Sequence, residues 1–360
     1  MTTNQRTPAR LLLRHPVPRV TGTSPYRPTR REFLAVAGSL LILAPYGCGS
    51  RTGAGGGNGS DETRTAEGHY GEIELPADPQ RLVPGYTTEM DYALVLGIPM
   101  AAGTGATGSR SGADQPFAEY QQEAYPGRLE GLERVQTYPE ANYEQIAVLN
   151  PDCILDQVAA DDEGRYERFS EIAPTFVFQD YEAVAGLEFG KPDWRGSLRK
   201  VGRAFGAPER ADEYIADYES RVEVLRGRLA ERWSDSTFAA VWPWTEFFGV
   251  FGRDAAQVHQ ILFDDLGLTP ASVLEPDTRE LSLETLPQID ADVLFFALPL
   301  KEDSLERDRQ MAAPYLNSPL WQEIPAVQKD QVYEFDQELI YTGPLTAAAF
   351  LNKVESSLLG

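Results

Sequence analysis

Residues 193–233 read DWRGSLRKVGRAFGAPERADEYIADYESRVEVLRGRLAERW, and the spacing of their apolar side chains decides the fold. In the first half these side chains recur at steps of four and three, as on one face of a helix: Trp194, Leu198, Val201 and Phe205. Gly206 and Pro208 then end that helix and open a second one. Strands alternate with helices on both sides of this stretch. We therefore predict an α/β protein of two similar Rossmann-like lobes joined by one long helix, residues 193–206.

The two halves of the chain repeat one another. Residues 284–295 align with residues 144–155 without a gap, with Glu on Glu and Asp on Asp. Residues 258–267 likewise echo residues 90–97, and both segments end in Leu-Gly. Two matches in the same order favour duplicated lobes. The first lobe is predicted to cover 69–192 and the second 207–360.

Charge and composition exclude several classes of function. The chain carries 32 basic and 55 acidic residues, and its net charge of −23 disfavours nucleic acid or an anionic membrane surface as a direct partner. Two cysteines are too few for a disulfide framework, and three histidines are too few for a His-rich zinc site. Cys153 falls inside an apolar strand, where it is predicted to pack as a small hydrophobic residue.

The N-terminal segment is predicted to be a targeting signal. Residues 29–34, TRREFL, resemble a twin-arginine export signal, and the apolar run that follows is too short to span a membrane. The run ends at Cys48 in a context that resembles a lipoprotein cleavage site, although Pro45 stands where Leu is usual. Residues 49–68 are rich in Gly, Ser, Thr and Asn, as in a flexible tether. We predict a signal peptide over 1–48, a lipid on Cys48, and a position on the outer face of the cytoplasmic membrane.

A literal G-x-G-x-x-G follows a predicted strand at Gly103–Gly108. A dinucleotide site would need a helix that starts on the last glycine, but the sequence continues as loop through residue 116. The pattern therefore favours a flexible loop at a lobe edge. An exported dinucleotide-dependent enzyme that uses this loop stays open as an alternative from another class.

Several short segments, in this order and spacing, resemble one family: DPQRLV at 78–83, LGIP at 96–99, LNPDCIL at 149–155, PLW at 319–321 with PAV at 325–327, and GPL at 343–345. The family is that of substrate-binding lipoproteins of ATP-driven importers for iron–siderophore complexes and cobalamin. The resemblance runs from about residue 71 to the end. It implies a non-enzymatic, monomeric protein that holds a ligand in a cleft between its lobes, with a modest hinge. It also implies that an acidic residue of each lobe docks against Arg residues of the membrane permease: Glu89 stands at the first-lobe position, and this chain has Gln260 at the second.

The expected ligand is a ferric siderophore, whose chelator already saturates the iron, so no protein metal ligand and no cofactor are expected. Such a chelate needs aromatic walls and a few hydrogen-bond donors. The candidates, each in a predicted strand-end loop, are Tyr86, Arg110, Tyr138, Trp242, Trp244, Arg253 and Tyr341. For Phe247, Phe248 and Phe251, close to Trp244, the core is at least as good an interpretation as the cleft. The sequence shows no Lys/Arg cluster, which favours a hydroxamate over a catecholate. Cobalamin or haem in the same fold is the alternative, with His259 a poor candidate for a haem ligand.

Overall fold

The computed structural model describes residues 62–105, 116–138, 140–179, 181–182, 190–243, 248–298, 310 and 312–360. The predicted signal peptide with Cys48, and the two candidate ligand contacts Arg110 and Trp244, lie outside these residues. The bounds of the tether can be compared with the structure only from residue 62 onward.

The strands are β1 (Thr63–Gly68), β2 (Gly71–Pro76), β3 (Leu82–Pro84), β4 (Cys153–Asp156), β5 (Thr175–Val177), β6 (Tyr181–Glu182), β7 (Lys191–Pro192), β8 (Thr237–Pro243), β9 (Phe248–Val250), β10 (Thr269–Pro270), β11 (Arg279–Leu281), β12 (Val293–Leu298) and β13 (Val332–Asp336). The α-helices are α1 (Thr87–Leu96), α2 (Glu119–Ala124), α3 (Pro126–Leu129), α4 (Tyr143–Val148), α5 (Glu163–Ser170), α6 (Trp194–Ala204), α7 (Pro208–Trp233), α8 (Gln257–Gln260), α9 (Pro325–Gln328) and α10 (Pro344–Leu359). A π-helix, Ile261–Asp265, directly follows α8, and 3-10 helices cover Val158–Asp161, Leu283–Gln288, Pro319–Glu323 and Gln337–Ile340.

The folded chain begins earlier than the sequence predicts. Residues 63–68, which their composition places in the tether, form β1 and pair antiparallel with β2. The hairpin turns at His69 and Tyr70, and Gly71 supports the turn with a φ of 102°. Ala66 of β1 is buried in the core. Because the pairing partner lies beyond the turn, the polar composition of this segment alone does not reveal the strand.

The first sheet has the order β3-β4-β5, and all its pairs are parallel. Every residue of these three strands is buried, as expected for a parallel sheet covered on both faces. Cys153 opens β4 with no exposed surface, which confirms its packing role. Helix α1 follows β3 and ends at Gly97, whose φ of 74° provides the left-handed cap.

The second sheet has the order β11-β9-β8-β12-β13, with β10 beside β8. Its central strands β8, β12 and β13 run parallel, whereas β9 pairs antiparallel with β8 and extends the sheet towards β11. Strand β12, VLFFAL, is buried along its whole length and forms the middle of the core. The mixed α/β architecture that the sequence predicts is confirmed.

The internal repeat has a structural basis in two aspartates that come just before a strand. In the first lobe the carboxylate of Asp152 accepts hydrogen bonds from the backbone N–H groups of Gln80 and Arg81, immediately before β3. In the second lobe Asp292 accepts from the backbone N–H of Thr237, the first residue of β8, at 2.9 Å. Each aspartate therefore ties its own strand to the start of a neighbouring strand, and the Asp-on-Asp match marks an equivalent joint in both lobes.

The predicted connector forms two helices. Asp193 caps the start of helix α6, because its side chain accepts from the backbone N–H of Gly196, and the helix ends before Gly206, which has a φ of 72°. Helix α7 is the longer of the two, with 26 residues, which corresponds to a length of about 39 Å. The apolar faces of both helices pack into one core cluster that also contains residues of both sheets. Helix α6 occupies the segment predicted as the joining helix, and α7 continues the connection to β8. The fold thus consists of two lobes joined by a long helical segment.

Candidate binding cleft

The carboxyl ends of the parallel strands define one edge of each sheet, and loops at such edges bind ligands in open α/β proteins. Strand β3 ends at Pro84 and leads through Gly85 to Tyr86 at the start of α1. In the second lobe β13 ends at Asp336 and leads through a 3-10 helix to Tyr341. Tyr86 and Tyr341 therefore mark the corresponding edges of the two sheets.

Three predicted tyrosines meet at this place. The ring of Tyr86 lies edge-to-face against that of Tyr138, with centroids 4.9 Å apart, and against that of Tyr341, with centroids 5.9 Å apart. Tyr86 and Tyr341 are half-buried, and Tyr138 is 38% exposed. The contact between Tyr86 and Tyr341 joins the first lobe to the second. We call these three residues the tyrosine cluster; their role in binding a ligand stays a prediction.

Trp242 lies near the carboxyl end of β8 and is half-buried. Its indole stacks on the ring of Phe251, with centroids 4.2 Å apart, and covers Gly249 of the neighbouring strand. A Cβ on Gly249 would approach the indole to 2.5 Å, so the glycine makes room for the ring. Phe248 and Phe251 are buried in the core, which decides the alternative that the sequence left open for them, and Phe247 lies outside the described residues.

Arg253 follows β9 but is engaged elsewhere. Its guanidinium pairs with the carboxylate of Asp254 at 2.5 Å and lies 4.0 Å from that of Asp264. Among the described residues, the ion pairs of Arg253 join it to Asp254 and Asp264 rather than to the tyrosine cluster. Its role in binding a ligand stays a prediction.

The position of Tyr341 is fixed by Gln257 of α8, which the sequence analysis does not identify. The side-chain amide of Gln257 donates to the carbonyls of Tyr341 and Gly343 at 3.4 and 3.3 Å, and its oxygen accepts from the backbone N–H of Gly343 at 3.1 Å. Gln257 is buried, and its bonds hold the backbone that leads into α10. Asp91 of α1 holds the same segment from the first lobe, because its carboxylate accepts from the backbone N–H of Thr346 at 3.2 Å. Both lobes thus hold the segment that begins with Tyr341.

The structure does not favour the docking role of Glu89. This side chain has no exposed surface, and its carboxylate accepts a hydrogen bond from the backbone N–H of Gln157 at 2.8 Å. Burial, together with the nearby Asp156 carboxylate, raises the pKa of Glu89 well above its usual value. With no exposed surface, Glu89 offers no contact to a partner protein in this conformation, and its docking role stays a prediction. Gln260 is half-buried and donates to the carbonyl of Asp254 at 3.2 Å; its docking role stays a prediction.

His259 has a structural role. It has no exposed surface, and its Nε2 accepts from the backbone N–H of Ala240 at 2.6 Å while Nδ1 lies 3.2 Å from the carbonyl of Gly252. Burial lowers the pKa of His259 to about 3, so the ring is neutral. Both ring nitrogens are occupied, which excludes His259 as a haem ligand in this conformation. The described residues contain no group of three or more His, Cys, Asp or Glu side chains that could hold a metal ion.

The glycine motif has a packing explanation at its first position. A Cβ on Gly103 would lie 2.6 Å from the ring of Phe117 and 2.8 Å from the methyl group of Met90, so a larger residue does not fit. Gly108, the last glycine of the motif, lies outside the described residues. The next helix that the structure describes is α2, which begins at Glu119. These observations do not favour the dinucleotide alternative.

Helices of membrane-spanning length and hydropathy are absent from the part of the chain that the structure describes.

Comparison with known proteins agrees with this geometry. The family model described as periplasmic binding protein matches residues 86–339. The probable siderophore-binding lipoprotein YfiY of Bacillus subtilis is 28% identical over 81% of this chain and 86% of its own length. The iron(3+)-hydroxamate-binding protein FhuD of the same organism is 23% identical over 92% of this chain and 98% of its own length. The crystal structure of Staphylococcus aureus SirA complexed with staphyloferrin B superposes with a TM-score of 0.65, at 21% identity, over 82% of this chain and 98% of SirA.

Proposed function

The chain belongs to the periplasmic binding protein family, and from this premise we propose that it captures a ferric siderophore between its two lobes and delivers it to an ATP-driven importer. The single observation that carries the proposal is the contact between Tyr86 of the first lobe and Tyr341 of the second, 5.9 Å between ring centroids. Aromatic side chains from both lobes can contact the same ligand only where the two carboxyl edges face each other.

The chemistry of the cluster fits a bulky chelate. A ferric siderophore presents apolar surface around a saturated metal, so its binding protein needs aromatic walls and hydroxyl groups and no metal ligands of its own. Tyr86, Tyr138 and Tyr341 offer both, and Trp242 adds a half-buried indole near the carboxyl end of β8. The similarity to FhuD, named for iron(3+)-hydroxamates, supports a hydroxamate as the ligand class. The protein acts by binding and release, without catalysis.

We also propose that the chain is exported and anchored by a lipid on Cys48, with residues 49–61 as the tether. The twin-arginine pattern before Cys48 supports export, and the similarity to the lipoprotein YfiY supports the anchor. Incorporation of labelled fatty acid into the wild type and not into a Cys48→Ala variant tests this anchor. Equal labelling of both proteins would refute it.

The partner is proposed to be the permease of the importer. Because Glu89 is buried in this conformation, Gln260 in the second lobe is the better placed of the two predicted docking residues. Replacement of Gln260 by Arg places a like charge opposite the arginines expected on the permease. It should reduce ligand uptake by cells while leaving ligand affinity unchanged. Unchanged uptake would contradict the docking role.

A tryptophan fluorescence titration tests the binding function. The purified protein is titrated with ferrichrome, ferrioxamine B, a ferric catecholate, ferric citrate, cobalamin and haem. Ferric chelates quench nearby indoles, so Trp242 should report a ligand in the cleft. Saturable quenching by a ferric hydroxamate at sub-micromolar concentration is expected. A response to cobalamin or haem alone, or to no compound, would overturn the proposal.

A further inference from the structure

Arg165 of α5 ties three separate segments of the first lobe together. Its side chain is 3% exposed, and each of its three nitrogens donates one hydrogen bond. Nε donates to the carboxylate of Asp156 at the end of β4, at 2.6 Å. The two terminal nitrogens donate to the backbone carbonyls of Thr137 and Gly85, at 2.7 and 2.8 Å. Each nitrogen of the guanidinium thus holds either a backbone carbonyl or the carboxylate.

Both carbonyl acceptors lie immediately before a residue of the tyrosine cluster. Gly85 precedes Tyr86 and Thr137 precedes Tyr138, whose rings are in edge-to-face contact. Because the carbonyl oxygen before each tyrosine is held, the peptide plane that leads into the Cα of that tyrosine is restrained. One guanidinium therefore restrains the relative position of the two Cα atoms that carry these rings, in loops 52 residues apart (138 − 86).

Asp156 completes the hydrogen-bond network around Arg165. One carboxylate oxygen binds Arg165, and the other accepts from the backbone N–H of Val158 at 2.9 Å. The carboxyl group packs directly against Gly85, where a Cβ would lie 2.5 Å from its Cγ. Gly85 is therefore needed for close approach, and the bend that presents Tyr86 rests on the ion pair.

Stability alone does not explain a buried ion pair at this place. Replacing such a pair by apolar residues of similar volume is often neutral or stabilising, because desolvation offsets the attraction between the charges. A well-defined arrangement of backbone acceptors is what a planar guanidinium provides and an apolar side chain does not. The ring of Phe169, 4.6 Å from the guanidinium carbon, supports the side chain from one face.

We propose that Arg165, held by Asp156, is a positioning residue that pre-organises Tyr86 and Tyr138 for the ligand. The inference rests on the proposed function, since it assigns a role within the same cleft. Arg165 does not itself touch the ligand. It acts by lowering the cost of ordering the two loops when the ligand binds.

The test uses two variants and one matched control. Arg165→Met combined with Asp156→Asn removes both buried charges, so no unpaired carboxylate remains. Arg165→Lys keeps the positive charge but lacks the planar guanidinium that donates to three acceptors. It replaces the double variant in the experiment if the double variant does not fold. Arg81→Met is the control: Arg81 also donates to backbone carbonyls in the first lobe, those of Leu149 and Asn150, but at the amino ends of the strands.

The first readout needs no ligand. Amide hydrogen exchange is measured on the wild type and the variants, with attention to peptides that contain residues 85–87 and 137–138. Exchange in these two segments should become at least about tenfold faster in both Arg165 variants, as expected when a local hydrogen-bonded arrangement opens. Arg81→Met should leave both segments unchanged. Unchanged exchange there in the Arg165 variants would overturn the inference whatever the ligand is.

The second readout is affinity for the ferric chelate that quenches the wild type, with ferrichrome as the first probe. We expect a loss of about tenfold in the double variant, since two loops must then be ordered on binding. In a Tyr86→Ala/Tyr138→Ala background the same change should alter affinity by less than about twofold, because the residues it positions are gone. An equal loss in both backgrounds would refute action through the tyrosines. If the wild type binds no chelate, the proposed function fails, and hydrogen exchange alone decides the positioning role.

Discussion

Replacing Asp91 by asparagine should remove a pH-dependent cost from the folded protein. Asp91 has no exposed surface; its carboxylate accepts from the side chain of Gln121 at 2.8 Å and from the backbone N–H of Thr346 at 3.2 Å. Burial raises the pKa of Asp91 from 3.8 to about 7, more than these hydrogen bonds lower it. One pKa unit corresponds to about 1.4 kcal/mol, so ionisation of Asp91 costs the folded state about 4 kcal/mol relative to the unfolded chain.

The direction of the pH dependence follows from the pKa of Asp91 in the folded and in the unfolded protein. In the unfolded chain the Asp91 carboxyl loses its proton near pH 4, whereas in the folded protein it keeps the proton until about pH 7. The free energy of unfolding should therefore fall as pH rises from about 4 to about 7 and then level off. Asparagine has no proton to lose, so Asp91→Asn should lack this part of the decline.

Urea unfolding at pH 4, 5, 6, 7 and 8 measures the effect. The free energy of unfolding of Asp91→Asn minus that of the wild type should increase by about 4 kcal/mol between pH 4 and pH 8. Asp217→Asn, at an exposed position on α7, is the control and should follow the wild type at every pH. A difference between Asp91→Asn and the wild type that does not change with pH would show that the reasoning about burial is wrong.

Three further predictions concern stability and the cleft. His259→Phe leaves a buried N–H and a buried carbonyl without partners, so urea unfolding at pH 7 should show a loss of about 3 kcal/mol. Because the pKa of His259 is lowered to about 3, the wild type should also lose stability as pH falls from about 6.5 towards 3, and the variant should lack this component. Gly249→Ala should displace the indole of Trp242 and cost about 1–3 kcal/mol, with a shift of the emission maximum; an unchanged spectrum would contradict the packing described. Asp152→Ala and Asp292→Ala should each lower the free energy of unfolding by about 1 kcal/mol and speed amide exchange at the start of the strand that each one holds; an effect in only one lobe would argue against an equivalent joint.

The architecture was predictable because the signals that define it are local. Apolar side chains at helical spacing in residues 194–205 and 211–229, and the repeated helix–turn–strand unit, need no knowledge of distant contacts. The positions of Tyr86 and Tyr341 at the sheet edges were predictable for a related reason, because loops after parallel strands meet at one edge of a sheet. The strand β1 was missed because its partner β2, rather than its own composition, gives it order.

The parts of the site that were missed depend on distant backbone. Arg165 binds carbonyls that are 28 and 80 residues away in the chain. Every residue has a backbone carbonyl, so the sequence does not show which carbonyl accepts a hydrogen bond. The same explanation applies to Gln257, because the carbonyls that it binds lie 84 and 86 residues further along the chain. The burial of Glu89 was not predictable, because the sequence is the same whether a carboxylate in the first turn of a helix faces solvent or the interior.

The most direct test of the central claim, that side chains of both lobes hold one ferric chelate, is calorimetric titration of that chelate into wild type, Tyr86→Ala, Tyr341→Ala and Tyr70→Ala. Tyr70 is the matched control, because it is 37% exposed and stacks on Tyr166 with centroids 4.1 Å apart. We expect Tyr86→Ala and Tyr341→Ala each to lower affinity by about tenfold or more, the loss typical of an aromatic anchor, and Tyr70→Ala to leave affinity within about twofold of the wild type. Full affinity in either Tyr86→Ala or Tyr341→Ala would contradict binding between the lobes.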